Sequence, residues 1–419
     1  MLVLSNLAKC GSSSLVLKLL FNNDLLITHS AKLAQNCSIS GIRKGLDVFT
    51  KFPFKTIASM KWNAKGTAKS IHIPKQREWK LLVKDSNSLT EVVQQHQENS
   101  SVVTEAAVKV TNGNAEVEIH LNGNASEFVR CLVIGRENSG LNNRTVILHL
   151  HGGAFVAMTP YHHVNYLRIW SKSLNIPIIC PDYAKAPEHP FPDGLQDNLD
   201  TYLFLLSGDP KVEQILGFQP DHVILSGDSA GGWHALALTF ALVDLSSKKS
   251  SIKMPSGIVV QYPAVNLSFG SMNPSHGIAI INPLLTSSLN AICLASYAKR
   301  DTNVDSETWP ADPEVWKKIP VAMETRIKDP LFNLLAFKRW DELAKIPLFV
   351  TACEYDSLLD GAISLCKSWK GPVKLDIARG IDHGFLFMPS EHTRTDFDRV
   401  IDRFRDCLTL LPVFPHDGQ

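Results

Sequence analysis

The run Gly227-Asp228-Ser229-Ala230-Gly231-Gly232 restricts this chain more than any other stretch. It fits the pattern G-x-S-x-G. The apolar run His222-Val223-Ile224-Leu225 leads into it, and the helix-forming run Trp233-His234-Ala235-Leu236-Ala237-Leu238 follows. Strand, sharp turn and helix in that order hold a serine hydroxyl exposed at the top of a sheet. Gly227 and Gly231 are small because a Cβ at either place would crowd the turn. Ser229 is therefore a candidate nucleophile. A serine hydroxyl reacts only when a base takes its proton, and the anion it generates needs donors already in place.

Both requirements have candidates elsewhere in the chain. Thr145 opens a buried-type strand, Val146-Ile147-Leu148-His149-Leu150, which ends in His151-Gly152-Gly153-Ala154-Phe155. In acyl transfer the carbonyl oxygen becomes an oxyanion, and a glycine-rich loop lets backbone N–H groups approach it. Gly153 and Ala154 are the candidate donors, with Gly152 as a further one and Ala230 behind the nucleophile. Taken alone, the loop suits a tight strand-to-helix turn equally well. Downstream, Ile346 to Ala352 forms a strand ending at Cys353-Glu354-Tyr355-Asp356. Val373 to Ala378 forms the next, before Gly380-Ile381-Asp382-His383-Gly384-Phe385. Open α/β sheets bind ligands just past strand ends, and Ser229, Asp356, His383 is a known chain order for nucleophile, acid and base. His383 is the candidate base and Asp356 the acid that orients it. Asp360 and Asp382 are rival acids. Between these elements, Asp182 to Pro192 is a proline-rich loop that follows the strand Ile176 to Cys180 and precedes a helix near Leu195 to Leu206. It reads as structural, and no spacing makes its Glu188 catalytic.

His-Gly-Gly-x-Phe, Asp-Tyr-x-x-Ala-Pro-Glu-x-Pro-Phe-Pro and Gly-Asp-Ser-Ala-Gly-Gly, in this order, resemble the hormone-sensitive lipase family of α/β-hydrolases. Tyr262-Pro263-Ala264, after the strand Ile258-Val259-Val260, fits the same likeness, which covers roughly residues 115 to 410. Phe155-Val156-Ala157, Asn282-Pro283-Leu284-Leu285 and Ala295-Ser296-Tyr297-Ala298 bring it nearest to the catalytic half of the lipase for which the family is named. The resemblance implies an α/β-hydrolase: a mostly parallel central sheet with helices on both faces and a helical cap. It implies hydrolysis of acylglycerols or cholesteryl esters, or of small esters, without metal or cofactor. It also favours Asp356 over Asp360 as the acid. Two residues depart from the family pattern. Ala154 stands where a third glycine is usual, and Trp233 where an asparagine is usual, which puts the shape of the acyl pocket in question. The family also contains a non-catalytic plant hormone receptor that has lost the histidine; His383 beside Ser229 argues against that role, while residues alone leave an acyltransferase open.

At 419 residues the chain is long enough for one large α/β domain with additions. A formal net charge of +1 gives no reason to expect a nucleic-acid partner. Eight cysteines without a C-x-x-C pair read as free buried thiols and favour a reducing compartment, hence a cytoplasmic setting. Leu15 to Phe21 is apolar but interrupted by Lys18 and too short to span a bilayer, and reads as part of an amphipathic helix rather than a secretory signal. Residues 1–105 are expected to form a mostly helical cap segment, with a polar surface helix from Asp85 to Ser101. Phe49, Phe52, Phe54 and Trp62 are candidates for a core-packing face or for one that meets a lipid droplet or membrane surface. Residues 106–419 are assigned to the catalytic domain, with an antiparallel hairpin around Asn122-Gly123 and a helical cap excursion near residues 266–330. The excursion contains no Arg-Arg-x-Ser pattern.

Overall fold

A computed structural model describes residues 39–40, 42–44, 68–75, 79–83, 89–94, 128–135, 144–267, 274–275, 285, 287–298, 326–387 and 390–411. In chain order the strands β1 (Ala68–Pro74), β2 (Trp79–Leu82), β3 (Glu91–Gln94) and β4 (Phe128–Ile134) come first. Next are β5 (Thr145–Leu150), α1 (Pro160–Leu174), β6 (Ile178–Pro181), α2 (Asp193–Leu205) and α3 (Pro210–Leu216). β7 (His222–Asp228), α4 (Ala230–Lys248), β8 (Gly257–Gln261) and α5 (Ser287–Ala298) follow. β9 (Leu348–Tyr355), α6 (Leu359–Ser368), β10 (Val373–Asp382) and α7 (Glu391–Thr409) complete the order.

Eight strands make one sheet in the order β1-β4-β6-β5-β7-β8-β9-β10. β4 is antiparallel to β1 and to β6, and every pairing from β6 to β10 is parallel. Parallel strands need crossovers, and the crossover helices cover both faces. That is why β5, β7 and β8 are buried along their whole length and read as apolar runs rather than alternating ones. Side chains still alternate between faces. Val146, Leu148 and Leu150 of β5 join the core built with Leu195 and Leu199 of α2 and Leu236 and Phe240 of α4. Ile147, Ile224 and Val259 face the second core, with Trp170 of α1 and Val400 and Phe404 of α7.

The region before residue 105 departs from the helical expectation. Residues 39–40 and 42–44 are helical, but β1, β2 and β3 stand where helix was expected, and β3 lies within the stretch read as a polar surface helix. Glu and Gln favour helix only weakly, and pairing along Trp79↔Gln94 to Leu82↔Glu91 overrides that preference. β1 is the edge strand of the main sheet, so a boundary at residue 105 cuts through the sheet. β4 pairs antiparallel with β1 along its full length, and the first half of the expected hairpin lies outside the described residues. Phe49, Phe52, Phe54 and Trp62 also lie outside them. No helix among the described residues is long and apolar enough to cross a membrane.

His234 lies in the first turns of α4, fully buried among Phe155, Tyr183, Trp233 and Tyr297. Neither ring nitrogen has a hydrogen-bond partner among the described residues. Burial, helped by the charge of Lys185, pushes its pKa down to about 3. An unfolded histidine titrates near 6.5. Below that pH the unfolded chain binds a proton that the folded one refuses, so stability falls as pH falls, down to the folded pKa. His149 and His151, also lowered by burial, act in the same direction. We expect His234→Leu to lose less stability than wild type between pH 7 and pH 5, by about 1–2 kcal/mol, in denaturant titrations at the two pH values. Equal losses would show that His234 does not contribute to the acid sensitivity.

Candidate active site

β7 ends at Asp228 and α4 begins at Ala230, so a single residue makes the turn. Ser229 holds it at φ 56° and ψ −120°, a conformation a non-glycine residue keeps only when its surroundings impose it. Its N–H donates to Gln261 O at 2.9 Å, and its carbonyl accepts from Ala264 N at 3.1 Å and Trp233 N at 3.2 Å. The helix starts hard against two strands. A Cβ on Gly227 would lie 2.3 Å from Gly231 O, and one on Gly231 would lie 1.9 Å from Leu150 O.

The loops after β9 and β10 bring Asp356 and His383 to this turn. His383 Nδ1 lies 2.6 Å from Asp356 Oδ2, and His383 Nε2 lies 2.9 Å from Ser229 Oγ. With Nδ1–H donating to the carboxylate, Nε2 is left to accept the serine hydroxyl proton. Asp356 is 1% exposed and its other oxygen accepts Leu358 N–H at 3.0 Å, so both carboxylate oxygens are held. The Tyr262 ring meets the imidazole edge-on with centroids 4.7 Å apart and limits its tilt. The rival acids are elsewhere. Asp360 accepts Ser275 N–H at 2.7 Å, while Ser275 Oγ donates to Ser357 O at 2.8 Å. Asp382 is exposed.

The glycine loop divides its amides between two directions. Gly152 N–H points inward, 3.0 Å from Asp228 Oδ1 and 3.1 Å from His163 Nε2. That corrects the expectation that Gly152 serves as an oxyanion donor: its donor is committed to a buried carboxylate. The amides of Gly153, Ala154 and Ala230 have no acceptor among the described residues. Gly153 sits at φ 127°, where a Cβ would come 2.0 Å from Ala157 O. Ala154 and Phe155 also have positive φ, 53° and 68°.

The loop is braced from outside. Tyr183 Oη donates to His151 O at 2.6 Å, and Ala186 N–H to Phe155 O at 3.0 Å. Arg43 donates to Val156 O at 2.7 Å and to Ala186 O at 3.0 Å, and pairs with both oxygens of Glu188. Glu188 thus anchors Arg43 and has no place beside the serine. Trp233 is fully buried and its indole N–H donates to Phe332 O at 2.7 Å. It packs edge-on against Phe155 and Tyr297 and fills space rather than lining an open cavity.

A cluster that the motifs did not single out lies beneath the loop. Asp228, His149, His163 and Tyr166 are buried together. Burial alone would raise the Asp228 pKa; the interaction with His163 and His149 outweighs it and holds the carboxyl well below the usual carboxylate range. Two sequence signs were present, the histidine pairs at His149/His151 and His162/His163, but neither has a spacing that assigns a partner. No group of His, Cys, Asp or Glu side chains among the described residues is arranged to hold a metal ion.

The left-handed backbone at Ala154 generates a test. A non-glycine residue there costs about 1–2 kcal/mol, and glycine removes that cost at some loss of chain entropy. We expect Ala154→Gly to keep ester turnover within about tenfold of wild type and to leave stability equal or higher by about 1 kcal/mol, read from denaturant midpoints. A large loss of turnover would mean that the alanine methyl, not the backbone alone, matters to the site.

Residues 147–387 match the family described as having the α/β-hydrolase fold. Hormone-sensitive lipase from Mus musculus is 34% identical over 173 residues, which is 41% of this chain and 22% of that lipase. The Homo sapiens lipase is 35% identical over 173 residues, 41% of this chain and 15% of the lipase. The chain therefore matches less than a quarter of the length of these relatives. Among solved structures, EstE1, a thermophilic carboxylesterase cloned from a metagenomic library, superposes with a TM-score of 0.60 at 19% identity, over 90% of this chain and 99% of EstE1. At that identity the superposition speaks for the fold alone. The matched family, the sheet order and the turn at Ser229 agree: the chain belongs to the α/β-hydrolase fold family, on the branch that includes hormone-sensitive lipase.

Proposed function

We propose that this chain is a serine carboxylic-ester hydrolase. The observation that carries the reading is the hydrogen-bonded line from Asp356 through His383 to Ser229 Oγ, with contacts of 2.6 Å and 2.9 Å. An ester bound with its carbonyl oxygen on the amides of Gly153, Ala154 and Ala230 is attacked by Ser229 Oγ. His383 Nε2 takes the serine proton, and Asp356 stabilises the imidazolium and fixes its tautomer. The tetrahedral intermediate collapses as His383 returns the proton to the leaving alcohol, giving an acyl-enzyme. Water, activated by the same histidine, then releases the acid and restores Ser229.

The relatives named hormone-sensitive lipase favour lipid esters, acylglycerols or cholesteryl esters, as substrates, and with them activity at a lipid-droplet or membrane surface from a cytoplasmic position. A helical cap formed by residues near 266–330 and by the segment before the sheet is part of this reading. A small-ester carboxylesterase is the second reading, and it has its own observation. Trp233, at the first turn of α4 where the family pattern has a smaller residue, packs with Phe155 and Tyr297, and Tyr297 stacks on Phe332. Turnover of p-nitrophenyl esters of graded acyl length separates the two, because each buried methylene of an accommodated chain adds about 0.8 kcal/mol. A lipid-ester enzyme gains through long chains; a small-ester enzyme peaks at short ones.

The roles of the three side chains are tested separately. Ser229→Ala and His383→Ala are expected to lower turnover by about three or more powers of ten while circular dichroism stays unchanged. Asp356→Asn is expected to lose no more than these, and Asp360→Asn much less. A deeper loss at Asp360 would reverse the assignment of the acid. An organophosphate label found by mass spectrometry on a residue other than Ser229 would remove the nucleophile.

A further inference from the structure

Asp228 sits next to the serine yet turns away from it, into a closed set of polar groups. The carboxylate is fully buried. Its Oδ1 accepts Gly152 N–H at 3.0 Å and Tyr166 O–H at 3.1 Å. Tyr166 Oη lies 3.0 Å from His149 Nε2, and His149 Nδ1 lies 3.2 Å from Ser226 Oγ. Because the tyrosine proton goes to Asp228, His149 Nε2–H donates to the tyrosine oxygen and Nδ1 accepts from the serine hydroxyl. Every proton in that chain points toward Asp228, an arrangement in which successive hydrogen bonds polarise one another. On the other side His163 Nδ1 donates to Thr159 O at 3.1 Å, and its Nε2 lies 3.1 Å from Gly152 N and 3.4 Å from Asp228 Oδ1.

The segment held by this network is strained. Gly153, Ala154, Phe155 and Met158 all have positive φ. Such a run persists only where the surroundings over-determine it. Other braces act on the carbonyls of the loop: His151 O, Gly152 O, Gly153 O, Phe155 O and Val156 O all accept hydrogen bonds. The bond to Gly152 N–H is the brace on this backbone that comes from a buried carboxylate, and it acts beside Tyr183 on His151 O and His151 Nδ1 on Gly152 O. A Cβ on Gly152 would lie 2.4 Å from Asp228 Oδ2, so the backbone is pressed against the carboxylate.

We propose that Asp228 is a positioning residue of the oxyanion loop: by taking the Gly152 N–H inward, it directs the next two amides, Gly153 and Ala154, toward the acyl oxygen. The proposal rests on the ester-hydrolase reading. Asp228 touches neither substrate nor reacting atoms in this role; it acts through the loop. The loop must be right in the transition state more than in the ground state, since misplacing one oxyanion donor costs about a hundredfold or more in turnover. Loss of Asp228 therefore lowers kcat and leaves KM nearly unchanged.

Asp228→Ala removes the acceptor, while Asp228→Asn keeps an oxygen for Gly152 and Tyr166 and places its NH2 at Oδ2, which has no partner among the described residues. The readouts are kcat and KM on a short p-nitrophenyl ester, and inhibition by a trifluoromethyl ketone, whose adduct with the serine carries an oxyanion, against a ground-state amide that carries none. Asp228→Ala is expected to lower kcat about a hundredfold with KM within about threefold, and to weaken the ketone by a similar factor but not the amide. Asp228→Asn is expected to recover kcat to within about tenfold of wild type, since the acceptor is retained. Wild-type kcat in Asp228→Ala overturns the positioning role, and so does a lower kcat with unchanged ketone affinity. If Asp228→Ala does not fold, Tyr166→Phe decides. Removing one donor to the carboxylate is expected to lower kcat and ketone affinity together by about three- to tenfold, less than the full worth of a hydrogen bond to a charged group because Gly152 N–H keeps its acceptor, and no change in either overturns the proposal. A wild-type protein that turns over no ester defeats the ester-hydrolase reading and this proposal together, whereas an active wild type with an indifferent Asp228→Ala defeats the proposal alone.

Discussion

A Cβ on Gly231 would come within 1.9 Å of Leu150 O, and one on Gly227 within 2.3 Å of Gly231 O. This contact between the start of α4 and the ends of β5 and β7 is the constraint on which the site depends. It forces the chain to reverse within one residue, which puts Ser229 at positive φ. It also sets the glycine loop after β5 directly beside the serine. Larger residues would push the helix away and let the turn relax to an ordinary conformation. The strain at Ser229 is held by three backbone bonds, from its own N–H to Gln261 and from Ala264 and Trp233 to its carbonyl. Nucleophile presentation is thus a property of how closely a helix can approach a parallel sheet.

The same closeness leaves polar groups buried with no route to water. A buried carboxylate next to the turn is costly unless donors surround it. Asp228 meets that condition at one oxygen, where Oδ1 accepts Gly152 N–H and Tyr166 O–H and His149 supports the tyrosine in turn, while Oδ2 has no partner among the described residues. His234 does not meet it, and its pKa shows the consequence: the ring is kept neutral by its apolar cage. One buried polar group holds two donors at a single oxygen, while neither ring nitrogen of the other has a partner among the described residues.

What the sequence made legible follows from how each element is specified. The runs leading to Ser229, Gly152 and Asp356 are buried strands of a parallel sheet, so their apolar character marks them without help from distant residues, whereas β10, which leads to His383, is a largely exposed edge strand. Chain order then suffices to bring Asp356, His383 and Ser229 together, and the hydrogen bonds at 2.6 Å and 2.9 Å follow from the topology. β1, β2 and β3 were illegible for the opposite reason. Their identity comes from pairing with strands beyond the local window: His72 meets Arg130, and Trp79 meets Gln94. The inward direction of Gly152 N–H was also out of reach, because a glycine-rich pattern says that an amide can approach something, not whether it meets a substrate oxygen or the buried Asp228 carboxylate.

The illegible segments nonetheless converge on the helices that carry and flank the nucleophile. Lys248 at the end of α4 donates to Val92 O of β3. Gln196 of α2 donates to Trp79 O at 2.9 Å and accepts Leu81 N–H at 2.7 Å. Asp329 is fully buried and accepts both the N–H and the hydroxyl of Thr90, at 2.8 Å and 2.6 Å. Three residues on, Phe332 O takes the indole N–H of Trp233, in the first turn after Ser229. One path therefore runs from the small β2–β3 sheet through Asp329 and Phe332 to the nucleophile turn, and a second runs through Lys248 to the far end of the same helix. Each link joins a side chain to a backbone group or a short polar side chain far away in sequence, so none leaves a periodic trace. Such links tie an element outside the main sheet to the helix whose position decides the strain at Ser229. The β2–β3 sheet is on these grounds part of the machinery that holds the turn in place, although it contributes no group to the chemistry.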